Sequence, residues 1–289
     1  MQHDAVAARR RCNPISSLDV NEDGRLHYLD LLDGIHRRLR PRTYVEIGVE
    51  HGPSMRLALP GTRAIGIDPA PAIRWPTPRD CRIYSLESDQ FFAEHRLGDL
   101  FGGLPTDLAF IDGMHLFEYA LRDFSNIERS ATRGSVVLLH DCLPIDAVTA
   151  ARERTTNVWS GDVWKFIVLL RRYRPDLSVA TVDAPPTGLA IVTNLDPAST
   201  VLADRYDEII GEYRDLPFSA IEHDKREQLA VVPSDWHHVD SLLPRPFRRT
   251  NSTLLRVGRA LRWPTREQLR RGVPTPVRGA VRKLRRSVS

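Results

Sequence analysis

Residues 43–54 read TYVEIGVEHGPS. A short run rich in β-branched and aromatic residues stops at Gly48, a second glycine follows at Gly52, and the chain then resumes a helical pattern. That is a strand, a tight turn and a helix, the unit from which an open parallel sheet is built. Glycines at both positions permit the turn and a close approach of backbone to a ligand. Asp68 follows Gly48 by 20 residues, the spacing at which a carboxylate reaches the hydroxyls of a ribose.

The same alternation spreads in both directions. Residues 24–40 place Leu26, Leu29, Leu32, Ile35 and Leu39 at helical spacing, and Pro41 ends that helix. Six more short apolar runs follow, at 64–68, 81–84, 108–111, 135–139, 178–182 and 189–193. Their Val, Ile and Leu content and their Gly, Pro and Asp borders suit buried parallel strands. Strands alternating with helices predict an α/β, Rossmann-like, doubly wound sheet of seven strands. No helix fits between the last two runs, so the last strand is expected to be antiparallel. Residues 199–229 read as helical and irregular, and prolines and arginines take over from Val231. The expected organisation is an N-terminal segment and helix over 1–40, a cofactor domain over 41–195, an extension over 196–243 and a basic tail over 244–289.

Ligands of such sheets sit at the carboxyl ends of the strands. There the sequence puts Glu46 just before Gly48, then Asp68, Asp112 and Asp141. A dinucleotide site would want G-x-G-x-x-G and a helix N-terminus facing a pyrophosphate. Here the pattern is E-x-G-x-x-x-G, and Glu46 would repel a pyrophosphate. S-adenosylmethionine (SAM) has no phosphate and carries a sulfonium and an amino group, so the acidic version suits it.

Two further stretches carry a resemblance. FIDGMHLFE at 110–118, followed by Asp123 and by GSVVLLHD at 134–141, resembles the methyltransferase domain 24 group of class I SAM-dependent methyltransferases, related to sugar O-methyltransferases. The resemblance spans roughly 25–195. It implies that Glu46 and Gly48 hold the methionine part of the cofactor, with Gly52 in the same turn, that Asp68 holds the ribose, and that Ser88 and Asp89 lie near the adenine. Asp112 belongs to the cofactor site and, with Asp141, matches carboxylates that bind a divalent cation in metal-dependent relatives. His115 holds the place of the base. At His140 those relatives tend to carry a second carboxylate, so the candidate cation set is Asp112, His140 and Asp141, with Mg²⁺ the candidate ion.

The chemistry agrees with this outline. Methyl transfer to oxygen needs the nucleophile in line with the sulfonium and a group to take its proton, and a histidine suits that role. The plainer uses of the same residues are local: Asp112 and His115 capping a helix that begins near Leu116, and His140 and Asp141 forming a turn. Trp159, Gly161, Asp162 and Trp164 form a stretch that either covers the site or packs in the core. The expected function is a SAM-dependent O-methyltransferase acting on a small hydroxylated molecule, a sugar or glycan unit. The alternatives are an NAD-dependent oxidoreductase and a non-catalytic binding protein on a degenerate methyltransferase fold.

Composition bounds the rest. The chain has 289 residues and a net charge of +4, enough for one large α/β domain with appendages. Its three cysteines stand apart, and no apolar run is long enough for a signal peptide or a membrane span, so a cytoplasmic protein is expected. The charge is unevenly placed. Residues 245–289 hold 14 Lys/Arg against Glu267 alone, leaving 27 Lys/Arg against 36 Asp/Glu in the other 244 residues. A basic tail with apolar positions such as Leu254, Val257 and Leu261 reads as a binder of an anionic membrane surface at the inner face. Nucleic-acid binding, docking on the acidic body and disorder compete with that reading, and nucleic acid is the less expected partner. Residues 19–30, DVNEDGRLHYLD, partly match a calcium-binding loop, but one copy closing on Asp30 is expected to be a polar turn. The acceptor and the oligomeric state are not written in the sequence.

Overall fold

A computed structural model describes residues 24–247. The basic tail beyond Phe247 and residues 19–23 of the calcium-loop match lie outside the described residues. Among the described residues, no helix is long and apolar enough to cross a membrane.

The strands are β1 (Thr43–Ile47), β2 (Arg63–Ile67), β3 (Cys81–Tyr84), β4 (Leu108–Ile111), β5 (Val136–His140), β6 (Ser178–Val182), β7 (Leu189–Thr193) and β8 (Val231–Val232). They form one sheet in the order β3-β2-β1-β4-β5-β7-β6-β8. β7 is antiparallel to both of its neighbours and every other pairing is parallel. The expected count of seven strands is corrected to eight. The sequence reading stopped at Val231 because the eighth strand is two residues long and carries no period. It exists because β6 presents a free edge, where Thr181 and Val182 pair with Val231 and Val232.

The helices are α1 (Tyr28–Leu39), α2 (Ser88–Glu94), α3 (Leu97–Leu100), α4 (Phe117–Glu128), α5 (Trp164–Tyr173), α6 (Val201–Asp204), α7 (Tyr206–Tyr213), α8 (Lys225–Gln228) and α9 (Trp236–Leu242). The first helix begins at Tyr28 rather than at residue 24, because His27 is its N-cap and accepts from the Leu29 amide through Nδ1 at 3.3 Å. Leu31, Leu32, Ile35 and Leu39 of α1 pack with Val239 and Leu243 on Tyr44, Leu108, Phe110, Val136, Leu138 and Ile191 of the sheet. Pleat alternation sends Val45, Ala109, Val137 and Leu139 to the opposite face, and all four are fully buried. There α4 packs against β4 and α5, and α5 against β6. This covering on both faces leaves the carboxyl ends of β1, β2, β4 and β5 open along one rim.

Candidate active site

A cavity of about 620 Å³ opens along that rim. Its floor is the turn after β1. Gly48 has φ +85°, and a Cβ there would overlap the carbonyl oxygen of Asp112. The turns after β1 and β4 therefore touch backbone to backbone, and only glycine serves at position 48. Gly52, at φ +81°, closes the same turn, with its amide donating to the Val49 carbonyl at 2.7 Å. Asp68 holds the turn from outside. Its Oδ2 accepts from the amides of Val49 and Glu50 at 3.0 and 2.8 Å, and its Oδ1 from Ala70 at 2.8 Å. Each oxygen retains acceptor capacity, and Asp68 lines the cavity.

Glu46 stands differently from the other rim carboxylates. It is fully buried and is not among the cavity-lining residues. It accepts from the Tyr44 hydroxyl at 2.6 Å and the Ser54 hydroxyl at 2.5 Å, and Ser54 lines the cavity in its place. Burial pushes the Glu46 carboxyl up to about 8, against the pull of the two hydroxyls. Ser88 and Asp89 line the cavity beside Glu87, and Arg122 holds Asp89 in a fork at 2.9 Å. Asp123, 2% exposed, lies among the lining residues with its Oδ1 unpartnered among the described residues.

At the other end four groups converge. His115 Nε2 lies 3.2 Å from Asp141 Oδ2 and 3.7 Å from Asp112 Oδ1. His140 Nδ1 lies 3.1 Å from Asp141 Oδ2 and 3.3 Å from Asp112 Oδ1. Asp112, His115 and Asp141 each offer one donor atom within 4.8 Å of the others, so geometry groups His115 with the two carboxylates, while the sequence set named His140. His140 is packed beneath Tyr28, ring centroids 4.1 Å apart. Burial lowers its basicity, but Asp141 and Asp112 outweigh burial and carry it to about 10. In turn the His140 imidazolium holds the Asp141 carboxyl below its ordinary range despite burial. His140 Nδ1 thus lies against both carboxylates, while its buried Nε2 has no partner among the described residues. The Thr187 hydroxyl donates to Asp141 Oδ1 at 2.5 Å. Asp141 itself sits at φ 60°, a left-handed conformation that costs a non-glycine residue of order 1–3 kcal/mol and is found where surroundings enforce it.

Residues far along the chain orient His115. Its Nδ1 meets the Trp159 carbonyl at 2.9 Å and its ring stacks on Trp159, centroids 4.9 Å apart. A carbonyl only accepts, so Nδ1 donates this bond, and Nε2 is the ring nitrogen that faces the carboxylates. Gly161 has φ +58°, and a Cβ would overlap the His115 carbonyl oxygen. The capping alternative fails at this point. The N-cap of α4 is Leu116 without a side-chain bond, and the Phe117 amide donates to Asp162 Oδ1 at 2.9 Å. The cap comes from 45 residues downstream, which leaves Asp112 and His115 free for the cavity. The 159–164 stretch divides between its two expected roles: Trp159 lines the cavity, and Trp164 is 1% exposed in the core.

Sequence reasoning did not name Tyr28, Ser54, Tyr119, Arg154, Asn157 or Thr187, all of which line the cavity. Only Asn157 and Arg154 carried a signal, their closeness to Trp159 in a polar, helix-free stretch.

Residues 45–142 match the family model Methyltransf_24, described as a methyltransferase domain. That matched stretch holds Gly48, Asp68, Asp112, His115, His140 and Asp141. No curated protein sequence matches the chain. Among solved structures it is similar to the O-methyltransferase TomG of Streptomyces achromogenes, involved in tomaymycin synthesis and in complex with SAM, at 17% identity and a TM-score of 0.44 over 62% of this chain and 82% of that one. It is also similar to an O-methyltransferase of Bacillus cereus in complex with SAH, at 14% identity and a TM-score of 0.41 over 61% and 82%. A third is an SAH-bound methyltransferase of Podospora anserina, at 17% identity and a TM-score of 0.44 over 58% and 78%.

Proposed function

We propose that this chain is an O-methyltransferase that moves the methyl group of SAM to a hydroxyl of a small molecule, a sugar or glycan unit. The observation that carries the reading is the cavity itself. One end has a backbone turn and Asp68 suited to a cationic nucleoside, and the other has a histidine nitrogen among carboxylates. When bound, SAM supplies a methyl group on a positively charged sulfur. The chain supplies position and proton transfer. The turn of Gly48 and Gly52 approaches the cofactor, Glu46 orients Ser54 towards it, Asp68 accepts from the ribose, and Ser88 and Asp89 border the adenine. Asp112 adds negative charge near the sulfonium.

His115 Nε2 takes the proton of the acceptor hydroxyl as the oxygen attacks. The resulting imidazolium lies beside Asp141 and Asp112, which stabilise it as it forms. The two carboxylates fit a divalent cation such as Mg²⁺, which Asp112 and Asp141 would hold with the acceptor oxygen completing it, leaving His115 Nε2 as the base. Such an ion would lower the acceptor's pKa and orient it. A pyrophosphate cofactor fits poorly, since carboxylates dominate the charge of the lining.

The test is direct. Mass spectrometry of the purified full-length protein reads any bound cofactor, and methyl transfer is followed on a panel of nucleotide sugars and glycans. Binding of NAD without binding of SAM would overturn the cofactor assignment. We assign the reaction to the cytoplasm and the basic segment 245–289 to an anionic membrane surface. Equal failure of the full chain and of a form ending at Leu243 to co-sediment with anionic vesicles at low salt would remove the membrane assignment.

A further inference from the structure

Two arginines on the segment between β5 and α5 behave in opposite ways. Arg152 is locked: its guanidinium meets Asp162 Oδ2 at 2.6 Å and both oxygens of Glu118. Arg154, two residues on, is exposed and lines the cavity. It reaches only the carbonyls of Thr156 and Asn157 in its own loop, at 3.5 and 3.3 Å. No ion pair joins it to any carboxylate among the described residues. Yet Glu50, Asp68, Glu87, Asp89, Asp112 and Asp141 line the same cavity, and Arg154 is the one Arg or Lys among the described lining residues. A guanidinium kept out of so acidic a wall is available to something that enters.

Its position says which side it serves. Asn157, Val158 and Trp159 of the same loop line the cavity with it, and Trp159 stacks on His115. This wall therefore borders the proton acceptor and, with it, the reacting hydroxyl. We propose that Arg154 forms an anion subsite for the acceptor, so that the methylated molecule is a hydroxylated compound bearing a carboxylate or a phosphate. A planar fork of donors matches either group in a two-point contact. The inference rests on the methyl-transfer reading above and narrows its substrate class to sugar acids and sugar phosphates. In the reaction the sulfur–methyl bond breaks as the oxygen–methyl bond forms, the sulfonium becomes a neutral thioether, and the hydroxyl proton passes to His115. The anion of the acceptor is unchanged and serves to hold the molecule. One other carboxylate enters the cavity in this reading, that of the cofactor's methionine, and the experiment separates the two.

The full-length protein, Arg154→Gln and Arg154→Lys are compared. Calorimetry reads SAH affinity, and thermal shift of the SAH-loaded protein reads binding of glucose, glucuronate and glucose 6-phosphate. Wild type should prefer at least one anionic sugar over glucose by roughly 10- to 100-fold, the range of a charge-assisted hydrogen bond. Arg154→Gln should lose that preference with SAH affinity and melting temperature unchanged, and Arg154→Lys should keep part of it. Which anion is preferred tells carboxylate from phosphate. The proposal is overturned by wild type showing no preference, or by a preference that survives Arg154→Gln. It is equally overturned by a Gln variant that weakens SAH instead, which would give Arg154 to the cofactor. Absence of SAH binding would refute the methyl-transfer reading alone, because the sugar comparison on the unloaded protein still reads the subsite.

Discussion

Replacing Asp123 by Asn should make the protein more stable at neutral pH and not at acid pH. The carboxyl is 2% exposed, and its Oδ1 has no partner among the described residues. Burial, partly offset by the Ser88 hydroxyl, raises it from 3.8 to about 7. Between those values the folded chain keeps a proton that the unfolded chain has released. Stability from this group therefore falls as pH rises through that window, and the penalty is complete above the folded value. The window spans about three pH units at ~1.4 kcal/mol each, so the penalty is on the order of 4 kcal/mol. Asn has the shape of the protonated acid and nothing to ionise. Urea unfolding of both proteins, with matched m-values, should give similar stabilities near about pH 4 and a gap of a few kcal/mol near about pH 8. Glu46, raised to about 8, adds a slope of the same sign to both proteins and cancels in the comparison. A gap that is the same at both pH values would refute the reasoning.

Gly48→Ala should cost about 2–4 kcal/mol, from a left-handed backbone and overlap with the Asp112 carbonyl, and should abolish SAH binding; calorimetry showing full affinity would count against the floor described here. His115→Ala should lower turnover by about 10²–10⁴ while leaving SAH affinity intact, with radiolabelled methyl transfer as the readout. Excess chelator should stop turnover and Mg²⁺ restore it, whereas full activity in chelator would dismiss the cation and leave His115 as base. Asp162→Asn keeps an acceptor for the Phe117 amide but strips the charge that meets buried Lys165 at 3.0 Å and Arg152. It should cost about 3 kcal/mol or more in urea unfolding, and a neutral result would mean Glu118 alone anchors that segment.

The sequence determined the sheet and its carboxylate rim. Strands recur at short intervals with a period of two or as unbroken apolar runs, and this pattern is local to the chain, so β1, β3, β4, β6 and β7 fall where residues 43–47, 81–84, 108–111, 178–182 and 189–193 were read. A residue following a strand has its place set by that strand, and Asp68, Asp112 and Asp141 accordingly reach one cavity. Tertiary structure decided what periodicity does not encode. β8 is strand only because β6 offers it an edge. Glu46 turned from the cavity because alternation along β1 puts it on the face that carries Tyr44, whose hydroxyl it accepts. The cap of α4 and the orientation of His115 each depend on a partner more than 40 residues away: Asp162 and Trp159. Arg152 and Arg154 are alike in sequence, and only the folded carboxylates around Arg152 tell the bound guanidinium from the one presented to the cavity. Local pattern sets which residues reach the rim, and contacts between distant segments set what their side chains are able to do there.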